Sequence, residues 1–355
     1  MANPVILHPR DVYNQYVLTK IVEKRASEHE IYKVPFAPLI SYDDRQVLIH
    51  VTDYRPSGLA PFKADEGSTP VLQTGGKVEE RRLDLVVISE EAVIRAKTML
   101  HLASSDENIR RGAAQDIVGL GRTLRVRNTQ RTMWMAWQAV QDNLSITYPD
   151  GGAISIDFDL DASSHNDSWS GSHVVTPSTD WDDASADIIG DIETWTELIE
   201  DDHGADQSTC ILHLNGKTWR QVKENTAIQA ELSGTQPRIT TPKADEVAEI
   251  LGIAELRLIN DYYKDTSRTK HKFLDDGKAL LTAPYTWNGD NIMEMMDGPV
   301  VLVSGDDLVV ANNPGAQSEI WVDKGSTTKK IRVTTARMPV LHYPEAFVWA
   351  SVYTA

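Results

Sequence analysis

Residues 105–144 read SDENIRRGAAQDIVGLGRTLRVRNTQRTMWMAWQAVQDNL, and this stretch decides the fold class. Its apolar side chains recur at steps of three and four residues in two runs: Ile109, Ala113, Ile117, Leu120 and Leu124, then Met133, Trp137, Val140 and Leu144. Such steps place one apolar stripe along a helix, and Ser105, followed by two acidic residues, predicts its start. We therefore expect one helix of about 36 residues and ~54 Å, in which Gly112, Gly119 and Gly121 allow a bend.

Two strand-like segments precede this helix. Residues 47–51 (VLIHV) and 83–88 (LDLVVI) have the composition of β-strands. Seven Gly and Pro residues lie between them and exclude a helix. We therefore predict an extended β-hairpin over residues 47–88. Residues 1–46 are interrupted by four prolines, which predicts an arm that lies on something else and is not a domain of its own.

The residues after the helix predict a hairpin and then a compact unit. Apolar residues alternate over 146–160 around the turn Pro149–Gly152, as in a β-hairpin. From residue 186, helix and strand alternate, which is typical of an α/β unit. The main predicted elements are a helix through Ile188, Ile192, Trp195 and Ile199, a strand at 210–214 turned by Asn215-Gly216, a helix beginning near Trp219, a helix capped by Thr241-Pro242 and ended by Gly252, and a strand at 256–259. The chain finishes in strands at 331–335 and 347–352.

The composition limits the function classes. The 355 residues carry a formal charge of −17 and one cysteine, Cys210. A lone cysteine excludes an internal disulfide and a multi-cysteine zinc module. A strongly acidic chain is a poor nucleic-acid binder, because phosphate contacts need clustered Lys and Arg. We see no secretory signal and no run of ~18 apolar residues, so we expect no membrane partner.

One group of residues suggests chemistry. Asp157, Asp159 and Asp161 alternate along one predicted strand, and three carboxylates on one face are suited to a hard cation such as calcium. The simpler interpretation is the solvated face of an amphipathic strand, since Phe158 and Leu160 supply the other face. Cys210 and His213 point to opposite faces of their strand, so we expect a buried structural thiol and no shared metal. Nothing in the sequence indicates catalysis, and we expect no cofactor.

The order of these parts resembles the major capsid protein of tailed bacteriophages, which has the Hong Kong-97 fold. Local sequence is similar to the lambda-type major head protein, the phage major capsid protein E family. The similar segments are Thr179-Asp180-Trp181 with Asp191-Ile192, Gly216–Trp219 running to Val222-Lys223-Glu224, Met338–Leu341 and Pro344–Val348. The resemblance covers nearly the whole chain in architecture, but the matching residues are scattered.

The resemblance implies an α+β chain with five parts. They are an N-terminal arm (1–46), an extended loop that is a β-hairpin (47–88), a peripheral domain (89–185) with the long spine helix at about 105–144 and the β-hairpin 146–160, an axial domain (186–325), and return strands of the peripheral domain (326–355). The chain would be the major capsid protein of a tailed double-stranded DNA phage, located in the virion and assembled in the host cytoplasm. It would self-assemble into the hexamers and pentamers of an icosahedral shell.

Further partners also follow from the resemblance. They are a separate scaffolding protein, a portal, often a decoration protein, and enclosed double-stranded DNA that is not bound sequence-specifically. Charged residues of the hairpin are our candidates for contacts between subunits: Arg55, Lys63, Lys77, Glu79, Glu80, Arg81 and Arg82, with Asp65 and Glu66 beside them. A Lys–Asn cross-link, known in some relatives of the fold, is a further hypothesis in which Lys63 or Lys77 meets Asn312 or Asn313. The lambda-type resemblance argues against that cross-link.

Two other functions stay open at the level of sequence. One is another virion or binding protein, such as a tail fibre that binds glycans through some of the nine Trp residues. A fibre should show repeats or a coiled coil, and we see neither. The other is a metal-dependent enzyme built on Asp157, Asp159 and Asp161, which chelator-sensitive activity would reveal.

Overall fold

We analysed a computed structural model of the chain. The structure describes residues 32–44, 46–52, 78–141, 143–147, 151–158, 160, 169–233, 242–304, 307–311, 315–323 and 328–354. Side chains are not described for 46–52, 78–83, 303–304, 307–309 and 321–323. The described helices are α1 (Ala96–Leu102), α2 (Glu107–Ala139), α3 (Ile188–Asp202), α4 (Gly216–Glu224), α5 (Thr226–Ser233) and α6 (Ala244–Ile250). None of them is both long and apolar enough to span a bilayer.

The described strands are short apart from one. In the first half of the chain they are β1 (Leu39–Ser41), β2 (Gln46–Thr52), β3 (Val78–Asp84), β4 (Val86–Ile94), β5 (Asn143–Thr147), β6 (Ala153–Asp157) and β7 (Val174–Val175). In the middle they are β8 (Ile211–Leu214), β9 (Glu255–Leu258), β10 (Tyr262–Lys264), β11 (Lys270–Lys272), β12 (Lys278–Thr282), β13 (Thr286–Trp287) and β14 (Asp290–Asn291). The last are β15 (Met293–Gly298), β16 (Val300–Ser304), β17 (Asp307–Ala311), β18 (Gln317–Asp323), β19 (Thr328–Leu341) and β20 (Phe347–Ser351).

The long helix is confirmed as α2, a continuous helix of 33 residues. It starts at Glu107, two residues after the predicted start at Ser105, because the Asp106 carboxylate caps it by accepting from the Asn108 N–H at 2.8 Å. It ends at Ala139, so the prediction that it continues to Leu144 is wrong. Leu144 instead lies in β5, because its alternation with Ile146 suits the hairpin with β6. That hairpin confirms the predicted pairing of two strands, while residues 148–150 of the predicted turn lie outside the described residues.

Helix α2 packs on the first of two five-stranded sheets. This sheet has the order β1-β15-β19-β18, and β4 also pairs with β19. A single 14-residue strand, β19, therefore pairs with three others in antiparallel fashion. The apolar stripe of the helix, including Ile117 and Leu124, packs against Ile331 and Val333 of that strand. One apolar layer thus joins the helix and the sheet.

The second sheet contains most of the predicted α/β unit. Its order is β7-β20-β12-β8-β9, and β8 and β9 run parallel. Because a parallel pair needs a crossover, α4, α5 and α6 connect β8 to β9. The predicted helix through Ile188 and Ile199 is confirmed as α3, whose Ile188, Ile192, Trp195 and Ile199 are buried. Gly252 has φ of +66° just after α6, as expected of a glycine that ends a helix.

Three local expectations are wrong. Residues 83–88 are not one strand: β3 pairs with β2 and β4 pairs with β19, and the buried Leu85 separates them. Asn215 does not form a turn but caps α4, which begins at Gly216. Pro242 does not begin α6, which is capped at Lys243, because the Glu246 side chain accepts the Lys243 N–H at 2.9 Å. Thr241 lies outside the described residues.

The strand pairing crosses the domain boundaries that we predict. β15 and β18 come from residues 186–325 yet lie in the first sheet, and β20 comes from 326–355 yet lies in the second. β7, from residues 89–185, also pairs in the second sheet, with β20. The two sheets are therefore built by chain segments that pass between them, and the domain boundaries stay predictions.

Candidate functional site

The predicted subunit contacts lie on the hairpin of β2 and β3. Three of those residues are outside the described part of the chain: Arg55, Lys63 and Lys77. The other four are consecutive in β3: Glu79, Glu80, Arg81 and Arg82. In the register of the two strands, Glu79 is opposite Val51 and Arg81 is opposite Ile49. The four charged positions thus follow one another along the strand.

This hairpin has little support of its own. Among the described strands, β2 and β3 pair only with each other, over seven residues each. A two-stranded hairpin in water is at best marginally stable, because it cannot bury either face. The arrangement therefore favours a hairpin that gains stability from a surface outside its own sheet.

The first sheet displays a mixed charged and apolar face. Glu91 lies 3.1 Å from Lys330 and 3.4 Å from Arg332, and Arg332 lies 3.1 Å from Glu319. The Lys330 ammonium, as hydrogen-bond donor, does most to lower the pKa of Glu91. On the same face of β4, Val87 and Val93 are 42% and 50% exposed. Apolar side chains beside ion pairs are typical of a surface that contacts another protein.

The opposite side of this sheet fixes α2 through buried polar groups. The Arg337 guanidinium is fully buried and donates to Asp297 at 3.1 Å and to the Thr132 hydroxyl at 3.2 Å. Asn128 of α2 accepts from the Thr335 hydroxyl at 2.7 Å and donates to the Ile88 carbonyl at 3.1 Å. These directional bonds specify where along β4 and β19 the helix lies.

An aromatic cluster joins α2 to the second sheet. Phe36 meets Trp137 edge-to-face at 5.0 Å and lies 5.7 Å from the ring of His213 on β8. Burial, and secondarily the charge of Arg257, lower the pKa of His213 to about 3. The imidazole is therefore neutral at physiological pH. Its Nε2 lies 3.4 Å from the Tyr285 hydroxyl.

A second buried histidine ties the loop before β7 to α3. His173 Nε2 lies 3.0 Å from Asp202, and its Nδ1 lies 2.8 Å from the Phe347 carbonyl. Ser170 donates to the same carboxylate at 2.5 Å and not to the imidazole. Burial alone would raise the pKa of Asp202, but the hydrogen bonds from His173 and Ser170 outweigh it and lower that pKa. The Ser170 hydroxyl is bonded to the Asp202 carboxylate and not to the imidazole that would activate it as a nucleophile, so the cluster is structural.

A third hairpin, β10–β11, was not expected from the sequence. Its register pairs Tyr262 with Lys272 and Lys264 with Lys270, so these four share one face. The Lys270 ammonium lies 4.7 Å from the centre of the Tyr262 ring, within cation–π range. The alternation of Lys, His and Lys in residues 270–272 was the signal that could have revealed it. Arg268, with φ of +66°, lies in the connecting turn.

The structure does not assemble the alternative metal site. Asp157 is exposed at the end of β6, whereas Asp159 and Asp161 lie outside the described residues. Within the described part of the chain, no three His, Cys, Asp or Glu side chains group as metal ligands would. Phe158 and Leu160 are buried, as expected of an amphipathic strand. Cys210 is also buried, which raises its pKa to about 12, in agreement with a structural thiol.

The residues of the hypothetical cross-link cannot be placed. Lys63, Lys77, Asn312 and Asn313 all lie outside the described residues. The neighbouring hairpin β16–β17 is described, and its register pairs Val301 with Val310, which are 43% and 57% exposed. This exposed apolar pair adds a further surface to those of β4 and the β2–β3 hairpin.

Two solved structures with a similar fold come from phage-related proteins. The putative capsid protein of a prophage of Escherichia coli CFT073 has a TM-score of 0.56 at 14% identity, covering 96% of this chain and 99% of that one. A phage-related protein from Bordetella bronchiseptica RB50 has a TM-score of 0.51 at 13% identity, covering 95% and 96%. No curated protein matches the chain. The long helix, the two sheets and the β2–β3 hairpin thus form a fold of the Hong Kong-97 type, as predicted.

The family follows from the sequence itself. The model of the family described as phage major capsid protein E matches residues 38–352. Because the match covers most of the chain, the chain belongs to this family. It is a phage major capsid protein, a component of the virion that assembles with its own copies into a capsid. Its role is structural and not enzymatic, so the glycan-binding fibre and the metal-dependent enzyme are no longer needed as explanations.

Proposed function

We propose that this capsid protein forms the hexamers and pentamers of an icosahedral shell around the double-stranded DNA of a tailed phage. The observation that carries the proposal is the β2–β3 hairpin, which pairs only with itself among the described strands. A hairpin of this kind gains stability by lying across a neighbouring subunit. Contacts that run head-to-tail close into rings when the rotation between subunits closes.

The parts of the chain have distinct roles in this proposal. Residues 47–88 reach onto the neighbour as the extended loop, and residues 1–46 lie along it as an arm. Helix α2 is the spine of the peripheral domain, and residues 186–325 form the axial domain at the centre of each ring. Glu79, Glu80, Arg81 and Arg82, with Arg55, Lys63 and Lys77, contribute ion pairs between subunits. Each exposed pair contributes only about 0–1 kcal/mol, so the set matters more than any member.

Other virion proteins complete the proposal. We propose a separate scaffolding protein, a portal and a decoration protein as partners, with assembly in the host cytoplasm. The net charge of −17 suits a shell that encloses DNA without adhering tightly to it. The family resemblance supports these partners, and the DNA is enclosed without recognition of its sequence.

The experiment is assembly of the full chain. The protein is purified alone and with its scaffolding protein, separated by size exclusion and imaged by negative stain. We expect closed shells, or free hexamers and pentamers that assemble on concentration. A clean monomer or dimer at high concentration, even with scaffold, would overturn the proposal. Boiled, denatured particles that run as one subunit band would exclude the Lys–Asn cross-link.

The hairpin contacts are tested by charge reversal. Arg81→Glu with Arg82→Glu should lower the yield of particles about tenfold, while the Tm of the subunit stays unchanged. Lys97→Glu, at an exposed position of α1, is the matched control and should assemble as the wild type does. Normal assembly of the double variant would show that these arginines make no subunit contact.

A further inference from the structure

The net charge of the chain is concentrated in one region. Residues 132–216 contain 17 acidic residues and no Lys or Arg. The rest of the chain contains 35 acidic residues (Asp and Glu together) and 35 basic residues (Lys and Arg together). The whole formal charge of −17 thus belongs to one continuous segment. The remainder of the chain has equal numbers of acidic and basic residues.

Four of the described acidic residues of this segment lie beside the second sheet. Helix α3 packs on β12 and β20, and its Glu193 and Glu197 are exposed one turn apart. The loop before α3 is held at the end of β20, because the Trp181 N–H donates to the Val352 carbonyl at 2.8 Å. Asp180 and Asp182 are exposed on either side of that tryptophan. We call Asp180, Asp182, Glu193 and Glu197 the acidic surface.

The β10–β11 hairpin comes next to an edge strand of the same sheet in the chain. It follows directly after β9, which is the last strand in the order β7-β20-β12-β8-β9. Its lysine face consists of Tyr262, Lys264, Lys270 and Lys272. Lys272 pairs with Asp276 of its own chain. Lys264 and Lys270 make no ion pair with any residue that the structure describes, and Lys270 is exposed.

The two surfaces do not pair with each other within one subunit. Glu193 and Glu197 make no ion pair with a described residue, and the same holds for Lys264 and Lys270. Opposite charges that stay unpaired in each subunit can pair between two copies of the chain.

We propose that the lysine face of one subunit binds the acidic surface of the next subunit in the same ring. The occupant of each surface is a second copy of this chain, so the contact is heterologous and repeats head-to-tail. This inference rests on the proposed ring assembly and names the surfaces that orient it. Charge complementarity of this kind selects the relative orientation and speeds encounter more than it adds affinity.

The test is a charge swap in the full-length protein. Lys264→Glu with Lys270→Glu, and separately Glu193→Lys with Glu197→Lys, should each raise the subunit concentration needed for ring or shell formation at least tenfold. All four substitutions together should bring it back to within about threefold of the wild type. Sedimentation velocity gives the assembled fraction, and circular dichroism checks that each variant is folded.

A matched control has the same change of charge elsewhere. Lys97→Glu with Arg122→Glu alters two exposed positions outside the second sheet and should not rescue Glu193→Lys with Glu197→Lys. The milder Lys264→Gln with Lys270→Gln should assemble with a weaker dependence on NaCl between 0.1 and 1 M, where the Debye length falls from about 10 to 3 Å.

The outcomes separate this inference from the function on which it rests. If the wild type forms shells and Lys264→Glu with Lys270→Glu forms them equally well, the lysine face is not the contact. Failure of the fourfold variant to recover would also overturn the inference. If those lysine variants assemble normally but lose retention on a DNA column, the face binds a polyanion instead. If the wild type forms no ring or shell, the proposed function itself fails.

Discussion

The two five-stranded sheets of this capsid protein are held to their helices in different ways. In the first sheet, the helix contact contains a buried guanidinium, Arg337, together with Asn128 and Thr132. In the second sheet, β8 and β12 carry mostly apolar side chains, and α3 packs on β12 and β20 with isoleucine and tryptophan. His213 is the exception in β8, and it is buried among aromatic rings.

The polar contact of the first sheet and the apolar contact of the second sheet therefore contribute to the structure in different ways. Apolar burial stabilises a contact in proportion to its area but does not fix its position. Buried hydrogen bonds contribute less net stability, yet a misplaced helix leaves them unsatisfied at a cost of several kcal/mol. The long helix α2 could otherwise slide along β19 by a turn. We infer that its polar contacts fix that register, and each of the following predictions tests one side of the comparison.

The largest effect is expected in the first sheet. Arg337→Met removes the cation that neutralises Asp297, whose side chain is only 6% exposed. We expect the free energy of unfolding to fall by about 3–5 kcal/mol, because a buried carboxylate loses its partner. Urea denaturation at pH 7 measures the change.

The matched control for this variant removes both charges. Arg337→Met with Asp297→Leu should recover most of the lost stability, since an apolar pair avoids the desolvation cost. A loss below 1 kcal/mol in the single variant would show that the buried pair does not stabilise the sheet.

The second effect is a pH dependence in the second sheet. The pKa of His213 in the folded chain is about 3, and an unfolded histidine titrates near ~6.5. The unfolded chain therefore binds the extra proton first, so stability is complete above pH 6.5 and is lost as the pH falls. We expect the free energy of unfolding to fall by about 1.4 kcal/mol per pH unit below that point.

His213→Gln isolates this contribution. The variant lacks the titrating group, so its unfolding free energy should fall less steeply between pH 6.5 and 5, where carboxylates stay ionised. Urea midpoints at several pH values provide the comparison. Parallel curves for wild type and variant would contradict the assignment of this slope to His213.

A smaller effect is expected at the helix caps. The buried Asn215 accepts from two N–H groups of α4 at 2.9 Å and donates to the Asp275 carbonyl at 2.6 Å. Asn215→Ala should cost about 2 kcal/mol, at the upper end for a cap, because buried groups lose their partners. Asp106→Ala, at the exposed cap of α2, should cost about 0.5–1 kcal/mol. Thermal unfolding should rank them in this order, and equal losses would contradict it.

The smallest effect is expected on the exposed face of the first sheet. Lys330→Ala breaks the 3.1 Å ion pair with Glu91, whose side chain is 41% exposed. The loss should be about 0.5 kcal/mol and should vanish in 1 M NaCl, because salt screens exposed pairs. A loss as large as that of Arg337→Met would remove the distinction between the two faces.

The sequence predicted the features that local periodicity determines. The three- and four-residue steps of Ile117, Leu124 and Trp137 are sufficient for α2, since a single stripe along one helix needs no knowledge of its partner. The same holds for α3 and for the hairpin of β5 and β6, where alternation and a Gly-rich turn are adjacent in the chain.

What the sequence could not predict depends on distant partners. Nothing near Arg337 indicates that it meets Asp297 and Thr132, because a buried and an exposed arginine look alike in a strand pattern. The uniform composition of residues 83–88 predicts one strand, although the two strands that meet there pair with different parts of the chain. The candidate contacts in β3 were named from charge alone, and their role stays a proposal.

The pairing of β4 with β19 also sets the order in which the molecule can fold. Ser89 and Thr334, which share a 2.9 Å hydrogen bond across these strands, are 245 residues apart in the chain. Contacts between such distant residues form slowly, because a long loop must close first. At a synthesis rate of about 5–20 residues per second, β4 is synthesised many seconds before its partner strand β19. A truncated chain therefore lacks β19, the strand on which its long helix packs. Only completed subunits would then be competent to join a growing shell.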